Sequence, residues 1–247
     1  AGFWLVLAVI IAIVLGGHQL LGVMDRDEAR FAQASKQMVM SGDLITPYFM
    51  DEIRAKKPVA IYWLQSASAF IFGTDDIASY RLPSLAGLLA SLFFIYHFAA
   101  SLFHAQGSSR QTVRLQGFIA VCLFLSSPII LVEAHLAKTD SVLLAVIIFQ
   151  QFMLWRVYPD RNLPLKERHS HKSWFGFWTG LGLSVLVKGP VGPAVALATL
   201  IGLVAVDRQW RWLGQLRWVS GLVWAAILVL PWAVAVSVAT EGAFLNI

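Results

Sequence analysis

The sequence predicts an all-α integral membrane protein, and three observations carry that prediction. Of its 247 residues 58 % are apolar and only 13 % are charged, against roughly a quarter charged in a soluble domain. Mean hydropathy is +0.69. The apolar residues gather into seven stretches, each approaching the ~20 residues a helix needs to cross hydrocarbon. This balance excludes a disordered chain, a disulfide-stapled secreted module and a soluble enzyme, because too few polar residues exist to cover a soluble core. The single cysteine, Cys122, rules out an intrachain disulfide. A formal charge of +5 could suggest nucleic acid, but basic residues in cytoplasmic loops explain it better, and no nucleic-acid partner is expected.

The seven predicted spans are Phe3–Val23, Pro83–Phe103, Leu115–Val132, Ser141–Trp155, Trp174–Val187, Val191–Val206 and Trp218–Val238. The first lacks a basic leading region and is followed by further spans, so it is not read as a cleaved signal peptide. The fourth to sixth are short and would extend into flanking residues or tilt less. The loops at 104–114, 156–173 and 207–217 together hold ten basic and three acidic residues. The positive-inside rule puts these loops, and the N-terminus, in the cytoplasm. The chain opens on Ala1 and ends just beyond an odd number of spans, and the expectation is a longer protein truncated at its C-terminal side.

The first outer loop, residues 24–81, is 58 residues long and holds eight of the fourteen acidic residues. Asp25 reads as a helix N-cap with Glu28 as its capping-box partner. Phe31, Ala34, Met38 and Val39 form an apolar stripe, and Ser41-Gly42 stops the helix. A second helix opens at Pro58, runs through Val59–Phe72 and stops at Gly73. Both are amphipathic or apolar enough to lie on a membrane surface, so the loop is read as a membrane-hugging platform within one transmembrane domain covering residues 1–247.

Four groups of residues on the outer side could carry chemistry. Asp27, Glu28 and Arg30 begin the first loop helix; a carboxylate beside an arginine suits a general base near an anion, or equally a helix cap that complements the dipole. Arg54, Lys56 and Lys57 precede a helix N-terminus, where a lipid-linked phosphate or the membrane headgroups would be attracted. Glu133, His135, Lys138 and Asp140 share one short turn. Lys188-Gly-Pro-Val-Gly-Pro193 divides two short spans, either lining a binding cavity or forming a tight turn with one snorkelling lysine. No glycine-rich nucleotide loop is present in the sequence.

These residues form an ordered series: Asp27-Glu-Ala-Arg-Phe-Ala32, Ser41-Gly-Asp43, Lys57-Pro58 with Ile61-Tyr-Trp-Leu64, Phe72-Gly73, Arg81-Leu-Pro83, Thr139-Asp140 and Lys188-Gly-Pro190. The series resembles polytopic glycosyltransferases that use lipid-linked sugars. Among them are the bacterial aminoarabinose lipid A transferases, and the wider group is the dolichyl-phosphate-mannose protein mannosyltransferase superfamily. The resemblance implies a GT-C-like fold, Asp27 as catalytic carboxylate, and Arg30, Lys57 and Lys188 on the donor phosphate. Glu28 and Asp140 would be carboxylates of the same cavity. Some relatives hold a divalent metal there, which here would fall to Asp27 and Asp140. Lys56 stands where the family often has an acidic residue, so metal-independent transfer, with no cofactor, is expected.

The resulting reading is an inverting glycosyltransferase in a bacterial inner membrane. Its active site would face the periplasm, its donor would be a polyprenyl-phosphate sugar, and its acceptor a lipid, glycan or protein. A transporter or flippase of a lipid-linked anion is the main alternative. A non-catalytic scaffold is a third, which the Asp27 motif disfavours.

Overall fold

In a computed structural model, which describes residue 12 and residues 22–54, 57–158 and 172–245, nearly all regular structure is helical. The first predicted span, Phe3–Val23, lies almost wholly outside the described residues, as does Lys56.

Helix α1, Arg26–Ser41, starts at Asp25, whose carboxylate accepts the Asp27 N–H at 3.2 Å. It stops at Gly42, whose φ of +73° is the left-handed conformation a glycine takes without strain. Asp43 then accepts the Ile45 and Thr46 N–H groups at 2.8 and 3.2 Å, an Asx turn that redirects the chain. A two-residue hairpin follows, β1 Tyr48–Phe49 against β2 Glu52–Ile53. The Gln37 side chain clamps it to α1 by bonding both the N–H and the carbonyl of Met50, each at 2.9 Å. Helix α2, Ala60–Phe72, ends at Gly73 as the sequence predicts.

Helix α3, Ile77–Ala105, starts six residues before the predicted span and takes Pro83 into its interior. Proline there should strand the carbonyl four residues back. That carbonyl, of Ser79, instead accepts the Ser68 hydroxyl of α2 at 2.6 Å, so the neighbouring helix supplies the missing donor. The predicted third span is broken: α4, Arg110–Leu125, and α5, Pro128–Ala134, meet at 75°. The residue before a proline avoids the helical region, and here Ser127 is extended with ψ of 113°. Helices α6, Asp140–Val157, α7, Ser173–Lys188, α8, Val191–Asp207, and α9, Trp218–Ala239, follow within two residues of expectation.

Among the described residues, α3, α6 and α9 are long and apolar enough to cross a membrane, or four spans if the bent α4–α5 pair makes one. The predicted seven is not met among these residues. At 16 and 17 residues, α7 and α8 extend only about 24–26 Å at 1.5 Å per residue, short of a ~30 Å hydrocarbon layer.

Four apolar clusters lie among the described residues, and the two largest sit at opposite ends of the bundle. At one end Phe31 and Met38 of α1 and Ile61 and Tyr62 of α2 pack on Leu143, Leu186 and Trp232 of α6, α7 and α9. The α1–α2 platform therefore covers the end where α6 begins and α7 ends. Trp232 fastens it by donating to the Ile45 carbonyl at 2.9 Å. At the other end Leu154, Trp178, Leu200, Trp212 and Leu216 form the second core. Near the platform end α3 and α6 meet at Gly87, where an added Cβ would lie 2.8 Å from the Ser141 carbonyl oxygen. Small residues permit such backbone approach in membranes.

Candidate functional site

The platform end of the bundle gathers the charged residues that the sequence scatters over 160 positions. Asp25, the cap of α1, forms an ion pair with Lys138 in the turn before α6. The hydrogen bond from Lys138, with the Asp27 N–H, holds the Asp25 carboxyl below its ordinary range. Burial pulls the Lys138 ammonium down, but the Asp25 hydrogen bond and the charges of Glu133, Asp25 and Asp140 outweigh it and raise the group. Asp140, the first residue of α6, pairs with Lys188, the last of α7. Asp25, Lys138, Asp140 and Lys188 all lie within electrostatic reach of Glu133.

One turn along α1, Asp27 and Arg30 approach to 3.6 Å, with side chains 61 % and 27 % exposed respectively. Arg30 also lies 5.9 Å from the ring centre of Phe49 in the hairpin. Arg54 is held more firmly: its guanidinium sits 4.8 Å over the Phe31 ring and its Nε donates to the Tyr62 hydroxyl at 2.8 Å. Burial pushes that hydroxyl up to about 12, against the Arg54 charge and with a small push from Asp27, so Tyr62 stays a neutral acceptor. Lys57 is half-buried just before α2 and forms no ion pair or hydrogen bond with any described residue.

Glu28 departs from its expected place among the cavity carboxylates. Its side chain is fully buried, and so is that of Arg81. Arg81 donates to it through Nε at 2.7 Å and Nη2 at 3.1 Å. The Ala137 and Met24 N–H groups add bonds of 3.0 Å each. Burial alone would raise the Glu28 carboxyl; these donors more than offset it and hold the group below its ordinary value. The predicted capping box is thus replaced by a pin that joins α1, α3 and the turn before α6. An arginine at the mouth of an apolar span calls for an acid nearby, but nothing in the sequence names one 53 positions away. The Asp25–Lys138 pair and the seating of Arg54 on Phe31 escape sequence reasoning for the same cause.

A cavity of about 420 Å³ opens between α3, α5 and α6, with Glu133 and Asp140 in its wall. A divalent ion fits the residues poorly. Among the described residues no three His, Cys, Asp or Glu side chains converge. The two carboxylates considered for it, Asp27 and Asp140, each already neighbour a cation. The platform instead carries the cations Arg30, Arg54 and Lys57 and the exposed carboxylate of Asp27.

Helices of membrane-crossing length under a charged platform define the class: a multi-pass membrane protein with a polar site at one end of its bundle. The chain belongs to the dolichyl-phosphate-mannose-protein mannosyltransferase family, whose profile matches residues 56–234. It is 32 % identical over 215 residues to the undecaprenyl phosphate-alpha-4-amino-4-deoxy-L-arabinose arabinosyl transferase of Aeromonas salmonicida, covering 85 % of this chain and 36 % of that protein. The Pseudomonas aeruginosa protein of the same name is 28 % identical, covering 87 % and 37 %. The chain thus spans little more than a third of the length of these relatives. The fold matches crystal structures of ArnT from Cupriavidus metallidurans. The apo form superposes with a TM-score of 0.82 at 24 % identity, covering 97 % of this chain and 43 % of that one. The form bound to undecaprenyl phosphate gives 0.85 at 22 %, covering 98 % and 42 %.

Proposed function

We propose that the protein transfers a sugar from a polyprenyl-phosphate donor to an acceptor at the platform face of a bacterial inner membrane. The observation that carries this is Asp27: an exposed carboxylate with Arg30 at 3.6 Å, on a platform that also holds the seated Arg54 and the uncommitted Lys57. Family membership supports the reaction class. Relatives named for undecaprenyl-phosphate aminoarabinose transfer, and an ArnT crystal structure holding undecaprenyl phosphate, support the donor. Residues 24–81 are then the first periplasmic loop, with the N-terminus in the cytoplasm.

In this mechanism Asp27 takes or polarises the proton of the acceptor hydroxyl. The acceptor oxygen forms its bond to the anomeric carbon from the side opposite the phosphate. The carbon–oxygen bond to phosphate breaks, its electron pair stays on the phosphate, and the centre inverts. Arg30 and Lys57 meet the developing charge, which is where electrostatic stabilisation lowers a barrier most. Lys188 adds positive charge from its seat on Asp140. Such a cation array does the work a metal would do, so transfer is metal-independent. The acceptor is a lipid, glycan or protein.

The test is transfer of a labelled sugar from a polyprenyl-phosphate donor by the protein in proteoliposomes, with Asp27→Asn beside it. Undiminished transfer by Asp27→Asn would remove Asp27 from the mechanism.

A further inference from the structure

The cavity between α3, α5 and α6 is graded along its depth. Asp140 and Glu133 stand at one end, and the wall continues along α6 through Leu144 to Ile147. Seven residues of helix are about 10 Å at 1.5 Å each, so the apolar part runs about that far from the charged end.

The polar side chains of this wall offer acceptors. Ser91 spends its hydroxyl proton on the Gly87 carbonyl at 2.9 Å, and Ser141 spends its own on the Ser84 carbonyl at 2.6 Å. Both keep lone pairs free. The Oε2 atom of Glu133 is buried and has no hydrogen-bond partner among the described residues. The charges are unequal as well. Asp25 and Asp140 are each closed by a lysine, Lys138 and Lys188, while Glu133 forms no ion pair of its own among the described residues. Among the described residues, three carboxylates therefore share two lysines here. A phosphate here would meet the carboxylates of Glu133 and Asp140, and no lysine or arginine is among the lining residues.

We propose that this cavity is a binding site for a primary ammonium, with Glu133 as its recognising carboxylate. An ammonium brings one positive charge and three N–H donors. Glu133, Ser91 and Ser141 offer matching acceptors, and the apolar depth takes the carbon skeleton attached to the nitrogen. Two sources present this chemistry at a membrane surface: an amino group on the donor's sugar, and the ethanolamine headgroup of a bilayer lipid. The first source rests on the donor proposed above. The site itself does not, and its test reads binding alone, so failure of transfer and failure of ammonium binding are distinguishable.

The experiment titrates the protein in maltoside micelles with octylammonium or with its neutral N-acetyl analogue, and follows the bound fraction by native mass spectrometry. Octylammonium should bind, and the amide about tenfold more weakly, the loss expected when a charge-assisted hydrogen bond is removed. Glu133→Gln should weaken octylammonium by a similar factor. Should that variant fail to fold, the comparison of amine with amide on the unsubstituted protein stands by itself. Competition assigns the source. Displacement by a polyprenyl-phosphate amino sugar but not by its N-formyl form selects the donor; displacement by phosphatidylethanolamine but not phosphatidylcholine selects the lipid. Equal binding of amine and amide, unchanged binding in folded Glu133→Gln, or displacement by neither competitor would overturn the assignment.

Discussion

Replacing Glu28 by glutamine changes one charge and almost no volume, which makes it a clean probe of how the platform is pinned. The carboxylate accepts four bonds, two at each oxygen: Arg81 Nε and the Ala137 N–H at Oε1, Arg81 Nη2 and the Met24 N–H at Oε2. An amide oxygen at the first position leaves the second pair facing an NH₂ group. The Arg81 guanidinium, fully buried, keeps the Gly22 carbonyl but loses the carboxylate charge and half of that acceptor. Removing the counter-charge of a buried ion pair costs about 3–5 kcal/mol. SDS titration in mixed micelles, read by tryptophan fluorescence, should show Glu28→Gln destabilised by that amount. Adding Arg81→Met removes the stranded charge and should recover about 1–3 kcal/mol. A loss under about 0.5 kcal/mol, the range of an ordinary surface substitution, would refute the pin. The pH dependence has a definite sign. The folded carboxyl lies below its ordinary 4.5, so its contribution is complete above pH 4.5 and is lost as pH falls through the folded value. Glu28→Gln should lack that component of acid sensitivity.

Asp27→Asn should lower transfer by about 10²–10⁴-fold, the usual contribution of a general base; with its side chain 61 % exposed, stability in the same titration should not change. Gly87→Ala should destabilise by about 1–3 kcal/mol, because the new Cβ meets backbone rather than a side chain that can move aside. Chelator should leave transfer intact, and activity lost in chelator and restored by a divalent ion would show that the carboxylates suffice without the lysines.

Helix existence was legible because apolar runs and stop signals are local. Gly42 and Gly73 end their helices, Asp25 caps α1, and α6 to α9 start and stop within two residues of expectation. The misses come from partners supplied by other elements. Pro83 reads as a helix start until Ser68 of α2 takes up the carbonyl it frees. The Ser126-Ser127-Pro128 break hides in an otherwise continuous apolar run and turns the chain by 75°. The site divides along the same line. Asp27 and Arg30 sit one turn apart on a helix, and their meeting follows from spacing. Glu28 with Arg81, Asp25 with Lys138 and Asp140 with Lys188 are 53, 113 and 48 positions apart, and only the tertiary fold joins them. Several members of the ordered motif series thereby acquire structural duties: Gly42-Asp43 a turn, Arg81 the pin, and Lys188 the partner of Asp140.

Sugar transfer as proposed breaks one glycosidic bond and forms another at the platform face. The most direct measurement follows a donor labelled in both its sugar and its lipid phosphate, presented to sealed proteoliposomes that contain acceptor. The two labels should separate, the sugar appearing on acceptor with inverted anomeric configuration and the phosphate remaining on lipid. Donor that crosses the vesicle membrane with both labels joined, and no labelled acceptor, would contradict the account and identify a transporter.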